Sequence, residues 1–201
     1  MFKKWKDCIV ENIDDNLCCI FGYDKAAERR FVLNKAGLLE GRILEIGTGR
    51  GNFTLLLAKS GYSFTSVDIS PEMQNSALLK LSSVRIEHMV KNFIENAEKM
   101  SFSSGSFDTI ISMNTIHHIT DPYKAVDECV RLLSPSGKLI ISDFSKDGLK
   151  IVDKVHRARG EKHEAGPVRM EDVEKYLTDK KFEVEKHNSG IQTVIIGRRA
   201  I

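Results

Sequence analysis

Apolar and polar residues alternate along this chain with two different periods, and the period changes near residue 41. Before that point the spacing is helical. Trp5, Ile9, Ile13 and Leu17 recur every fourth residue within 1–22, which predicts one small helical element. DKAAERRFVLNKAG (24–37) predicts a second helix, with Asp24 as its N-cap and Gly37 as its stop. From 42 onward, short β-branched runs alternate with helical segments. Strands are predicted at 42–47, 63–69, 84–90, 107–113 and 138–144, with helices at 52–61, 71–81 and 121–133. Pro71 sits in the first turn of the second of these helices. FDTIISM has almost no polar interruption, as expected of a strand covered on both faces. SPSG reads as a turn before the strand KLIISDF.

Strands and helices alternating at this spacing make βαβ units and a parallel sheet. After a polar, helical stretch at 145–181, FEVEKHNS (182–189) and QTVIIGRR (192–199) flank a short turn and should pair antiparallel. The expected fold is α/β: a Rossmann-like three-layer sandwich with a mostly parallel seven-stranded sheet ending in an antiparallel hairpin. Residues 1–40 are expected to form an N-terminal helical cap and 41–201 the ligand-binding core, one structural domain overall.

Composition narrows the class. The 201 residues suit one domain. Thirty basic and 28 acidic residues leave a net charge of +2, which gives no electrostatic footprint for nucleic acid. No apolar run approaches a membrane span or a signal peptide. Cys8, Cys18, Cys19 and Cys129 form no C-x-x-C pair, and vicinal Cys18–Cys19 is a poor disulfide candidate. All four read as reduced thiols, so the expected compartment is cytoplasmic.

The strongest local signal is Leu44-Glu45-Ile46-Gly47-Thr48-Gly49-Arg50-Gly51, which follows a strand and opens a helix. Glycines let the backbone turn sharply beside a ligand, and the helix end supplies N–H groups. Asp68 ends the next strand, where an acid accepts hydrogen bonds from ribose hydroxyls. Together they predict a nucleoside-containing ligand. The loop is G-x-G-x-G, with Asn52 where the dinucleotide fingerprint has its third glycine. Glu45 is placed to oppose a ligand ammonium, directly or through water, and is a poor neighbour for a pyrophosphate.

LEIGTGRGNF resembles motif I of class I S-adenosylmethionine-dependent methyltransferases, and VDIS resembles their acidic motif after strand two. NAEKMSFSSGSFDTIISMNTIHHITDP and SPSGKLIISDF are similar to the segments around strands four and five. The likeness runs from about residue 41 to 145 and is nearest the small-molecule, ubiquinone-biosynthesis-like subgroup. It implies S-adenosyl-L-methionine as cofactor, with Gly47, Thr48, Gly49 and Gly51 at its methionine part. It further implies Asp68 at the ribose, Ile69 on the adenine, Asn96-Ala97 at the adenine edge, Asn114 near the sulfonium and Tyr23 over the carboxylate. Asn96 stands where the family often has Asp.

A general base is needed only for a protonated nucleophile. His117 and His118, after strand four, are the candidates. His156, His163 and Glu164 lack the tight spacing of a zinc site, so no metal is expected. The segment after strand four is Asn114-Thr115-Ile116-His117. It lacks the Asn-Pro-Pro-Tyr pattern of adenine- and amide-methylating enzymes, which leaves a small-molecule acceptor. The alternatives are a non-catalytic S-adenosylmethionine-binding protein and an NAD-dependent oxidoreductase.

Overall fold

The computed structural model describes residues 13–162 and 165–200. Trp5, Ile9, Cys8, His163 and Glu164, all singled out by the sequence, lie outside these residues. The elements run α1 (Ile13–Ile20), α2 (Lys25–Ala36), β1 (Ile43–Ile46), α3 (Asn52–Lys59), β2 (Phe64–Asp68), α4 (Pro71–Ser82) and β3 (Val90–Ile94). They continue with β4 (Phe107–Met113), α5 (Pro122–Leu132), β5 (Leu133–Phe144), α6 (Lys146–Ala158), α7 (Met170–Asp179), β6 (Phe182–Asn188) and β7 (Gln192–Arg199).

The seven strands form one sheet in the order β3-β2-β1-β4-β5-β7-β6. The first five are mutually parallel, and β7 runs antiparallel between β5 and β6. Strand alternation sends neighbouring side chains to opposite faces. Ile110 packs with α5 and α7 through Val126, Leu132, Val173 and Leu177. Its neighbour Ile111 packs on the other face with Val32 of α2, Leu57 of α3 and Leu81 of α4. Both isoleucines are fully buried, and each such side chain contributes about 1.5–3 kcal/mol by leaving water. Helices on both faces make this a Rossmann-like three-layer sandwich.

Side-chain caps start the helices where the sequence placed them. Asp24 Oδ1 accepts from the Ala27 N–H at 2.8 Å, and Asp121 Oδ1 accepts from the Lys124 N–H at 3.2 Å. α2 is a layer of the core through Val32 and Ala36. Two boundaries differ from the expectation. The strand predicted at 84–90 begins at Val90; Glu87–Met89 forms a 3₁₀ turn. Ile86 and Met89 bury themselves from that turn against the α3–α4 face, which mimics a strand's alternation. The SPSG turn is drawn into β5, whose pairing with β4 jumps register between Phe107 and Thr109. Among the described residues, no helix is long and apolar enough to cross a membrane.

Candidate functional site

The chain leaves β1 towards β2 and β3, then returns to place β4 on the other side of β1. Such a reversal opens a crevice at the carboxyl ends of the strands. A cavity of about 620 Å³ lies there, bordered by the loop after β1, the end of β2, the segment 95–98 and the segment after β4.

The glycine loop folds over the end of β2. The N–H groups of Gly47 and Thr48 donate to the Val67 carbonyl at 2.9 and 3.1 Å. Gly47 has φ +85°, and a Cβ there would lie 2.0 Å from Thr115 Oγ1, so both conformation and space require glycine. The Gly49 N–H donates to Asp68 Oδ2 at 2.8 Å, and the Ser70 N–H donates to Asp68 Oδ1 at 3.0 Å. Asp68 is thus held by two backbone donors. Each carboxylate oxygen keeps capacity for a ligand hydroxyl. Gly51 caps α3 in the left-handed region. Ile69, 66 % exposed, extends the wall beyond Asp68.

Glu45 does not reach this cavity. Leu44 and Ile46 point to the α5–α7 face, so alternation turns Glu45 the other way, towards α3. Its Oε2 accepts from Ser66 Oγ at 2.6 Å and Thr54 Oγ1 at 2.8 Å. Thr48 Oγ1 hydrogen-bonds Ser66 Oγ at 2.6 Å and accepts from Gln74 Nε2 at 3.0 Å. The expected pairing of Glu45 with a ligand ammonium is replaced by a buried hydroxyl network beneath the loop. Burial pushes the Glu45 carboxyl up to about 7, against the pull of the Ser66 and Thr54 hydroxyls.

Asn96 and Ala97 border the cavity, and Asn96 Oδ1 accepts the Glu98 N–H at 2.9 Å in a local turn. Asn114 adopts φ +55°. Its Oδ1 accepts from Gln192 Nε2 at 2.7 Å, and its Nδ2 donates to Tyr23 Oη at 3.4 Å. Tyr23 packs edge-on to Phe144 with centroids 5.6 Å apart. Burial holds its phenol well above the ordinary range, so it is a neutral hydroxyl whose own hydrogen can point to a ligand. Arg29, on α2, borders the same cavity. Sequence reasoning missed it, although it follows Tyr23 by less than two helical turns.

A second cavity of about 400 Å³ adjoins the first, sharing Tyr23, Arg50, Asn52, Asn114 and His118 with it. Val152, Val155 and His156 of α6, Arg159 just beyond its end and Cys18 of α1 border its far side. His118 is exposed and His117 buried. The His117 N–H donates to Asp143 Oδ2 at 3.0 Å, and its Nδ1 lies 2.6 Å from Asp143 Oδ1. Asp143, at the end of β5, also went unrecognised in the sequence. Of the residues weighed for a metal, His156 has its Nδ1 3.0 Å from Glu161 Oε2. Cys18 and Cys129 are not disulfide-bonded, whereas Cys19 is. The reading of four reduced thiols is corrected at Cys19.

The sheet order, the β1 glycine loop, the acid ending β2 and the antiparallel β7 define the class I methyltransferase fold. Residues 44–141 match the methyltransferase domain family. Ubiquinone biosynthesis O-methyltransferase from Xanthomonas oryzae pv. oryzae is 31% identical over 118 residues, 58% of this chain and 48% of that protein. The chain therefore spans about half the length of the curated relatives it matches. A SAM-dependent methyltransferase from Aquifex aeolicus superposes with a TM-score of 0.66 at 21% identity, covering 93% of this chain and 98% of that one. The [4+2]-cyclase SpnF superposes with a TM-score of 0.70 at 15% identity, covering 89% and 82%. The fold alone does not fix the reaction.

Proposed function

We propose that this protein binds S-adenosyl-L-methionine in the larger cavity and methylates a small-molecule acceptor in the adjoining one. The observation that carries this reading is the Asp68 carboxylate. Two backbone N–H groups hold it at the border of a cavity of about 620 Å³. The donor set fits the ligand part by part. Asp68 would take the ribose hydroxyls, with Ile69 and Ala97 flanking the adenine. Tyr23 and Arg29 offer a neutral hydroxyl and a cation to the carboxylate. The loop Gly47–Gly51 and Asn114 would border the methionine segment. Asn96 Oδ1 is already engaged, so its amide N–H₂ is the part left for the adenine edge.

Bound there, the sulfonium would supply an electrophilic methyl group. The chain's own task is to orient the acceptor and exclude water. A small-molecule acceptor suits the second cavity in size, at about 400 Å³, bordered by α1 and α6. The cytoplasmic assignment loses part of its thiol argument at Cys19 and rests on Cys18 and Cys129.

Calorimetric titration with S-adenosylmethionine, S-adenosylhomocysteine and NAD tests the ligand. The first two should bind, and NAD should not. Preferential NAD binding would overturn the reading. Asp68→Ala should weaken S-adenosylhomocysteine by about 1–3 kcal/mol, the cost of lost polar contacts. Unchanged affinity would move the ribose elsewhere.

A further inference from the structure

We infer that Gln192 is a positioning residue of the cofactor site. From the start of β7 it orients the Asn114 amide, so that the Tyr23 hydroxyl keeps its own hydrogen for the cavity and selects the ligand's carboxylate. This rests on the S-adenosylmethionine reading above. It adds a residue that borders neither cavity and governs how the amino-acid tail is recognised.

Gln192 stands out against its neighbours. Strand alternation puts it on the sheet face of Val194, which packs with Val32 and Ala36 of α2. Ser142 shares that face with Ile140 of β5. Both polar residues are fully buried. An amide buried in such a layer costs free energy unless its groups are paired. Here they are paired in one direction. Ser142 Oγ donates to Gln192 Oε1 at 2.9 Å. Gln192 Nε2 donates to Asn114 Oδ1 at 2.7 Å, and Asn114 Nδ2 donates to Tyr23 Oη at 3.4 Å. Among the described residues, Gln192 is the one hydrogen-bond partner of Ser142 Oγ. The reverse order would therefore leave a hydroxyl hydrogen unpaired in the core.

Asn114 is tied at its backbone as well. Its φ of +55° lies in the left-handed region, which Asn tolerates. Its N–H donates to the Ser142 carbonyl at 2.8 Å. With its amide oxygen taken by Gln192, it offers Tyr23 only N–H. The Tyr23 oxygen thus accepts from within the protein, and no described residue accepts its hydrogen. Burial keeps the phenol neutral, so that hydrogen stays in place. Tyr23 borders the larger cavity. A ligand group that meets the hydroxyl there must accept, as a carboxylate does and an ammonium does not. Without Gln192 the Asn114 amide is free to turn, and its oxygen would draw the Tyr23 hydrogen back into the protein.

The experiment measures two affinities by calorimetry on the full chain. One ligand is S-adenosylhomocysteine. The other is decarboxylated S-adenosylmethionine, which keeps the nucleoside and the ammonium but lacks the carboxylate. Gln192→Met removes the amide with little change in volume. It should bind S-adenosylhomocysteine about 10–100-fold more weakly, the loss of one hydrogen bond to a charged group. Its affinity for the decarboxylated compound should stay unchanged. Tyr23→Phe should show the same pattern. The double variant should bind no more weakly than Tyr23→Phe alone, because Gln192 acts through that hydroxyl. If Gln192→Met does not fold, Ser142→Ala removes the hydroxyl that sets the direction and should give the same selective loss. Equal weakening of both ligands, additive losses in the double variant, or unchanged S-adenosylhomocysteine binding overturns the inference and leaves the cofactor reading intact. A wild type that binds neither compound overturns both.

Discussion

Glu45 is a titratable group held under the ligand loop. Its carboxyl rises from an ordinary 4.5 to about 7, mainly because burial disfavours the charged form. The folded state therefore holds this proton more tightly than the unfolded chain. The resulting stabilisation is complete below about pH 4.5 and is lost as pH rises through about 7. The stability of the wild type relative to Glu45→Gln should fall by ~3 kcal/mol across that range. Urea midpoints of both proteins at either end measure it, and a pH-independent difference would show that Glu45 titrates normally. The same residue shows how far single positions can be read from sequence. An acid before the glycines was visible, but its direction depended on the pleat. Asp68 needed only its place at a strand end. His117 and Asp143 lie 26 positions apart. Their pairing appears once β4 and β5 lie side by side, a relation no local pattern carries.

At the scale of elements, the approach of α3 to α4 depends on one missing side chain. Gly51 has φ +75°, and a Cβ there would stand 2.6 Å from Ala77 Cα. Gly51→Ala should cost roughly 2–4 kcal/mol, combining left-handed backbone strain with overpacking. Urea unfolding tests this. A cost below about 1 kcal/mol would mean that the two helices separate readily. Most elements were legible because both signals agree. β4 and the Leu139–Ile141 stretch of β5 are apolar runs, and α5 repeats its apolar residues at helical spacing. β3 was misplaced because it is an edge strand whose residues Phe93 and Ile94 are 43 % and 59 % exposed. The apolar residues of the preceding turn were the better buried ones, and they drew the expectation upstream. β7 was recognised as a hairpin partner, but its insertion beside β5 is a long-range outcome.

Across the whole molecule, the two cavities gather residues from α1 and α2 at one end of the sequence and from α6 far beyond the glycine loop. A ligand there adds to the apolar cluster of Cys18, Tyr23, Phe144, Val152 and Val155 that already joins these segments. S-adenosylhomocysteine at a hundredfold excess over its Kd should add about 2.7 kcal/mol of stability. Thermal unfolding with and without it should show a concentration-dependent rise in Tm. An unshifted Tm under saturating ligand would mean that unfolding proceeds without releasing it. The sheet imposes a schedule of its own. β5 pairs with β7 from Lys138↔Arg198 to Phe144↔Gln192, so its second neighbour is made some fifty residues later. On a ribosome, β5 emerges with one flank bare, and Val194, Ile195 and Ile196 arrive late to cover it. Until then that flank is a template for any other strand within reach. The nascent chain is most exposed to mispairing in the interval between residues 144 and 192.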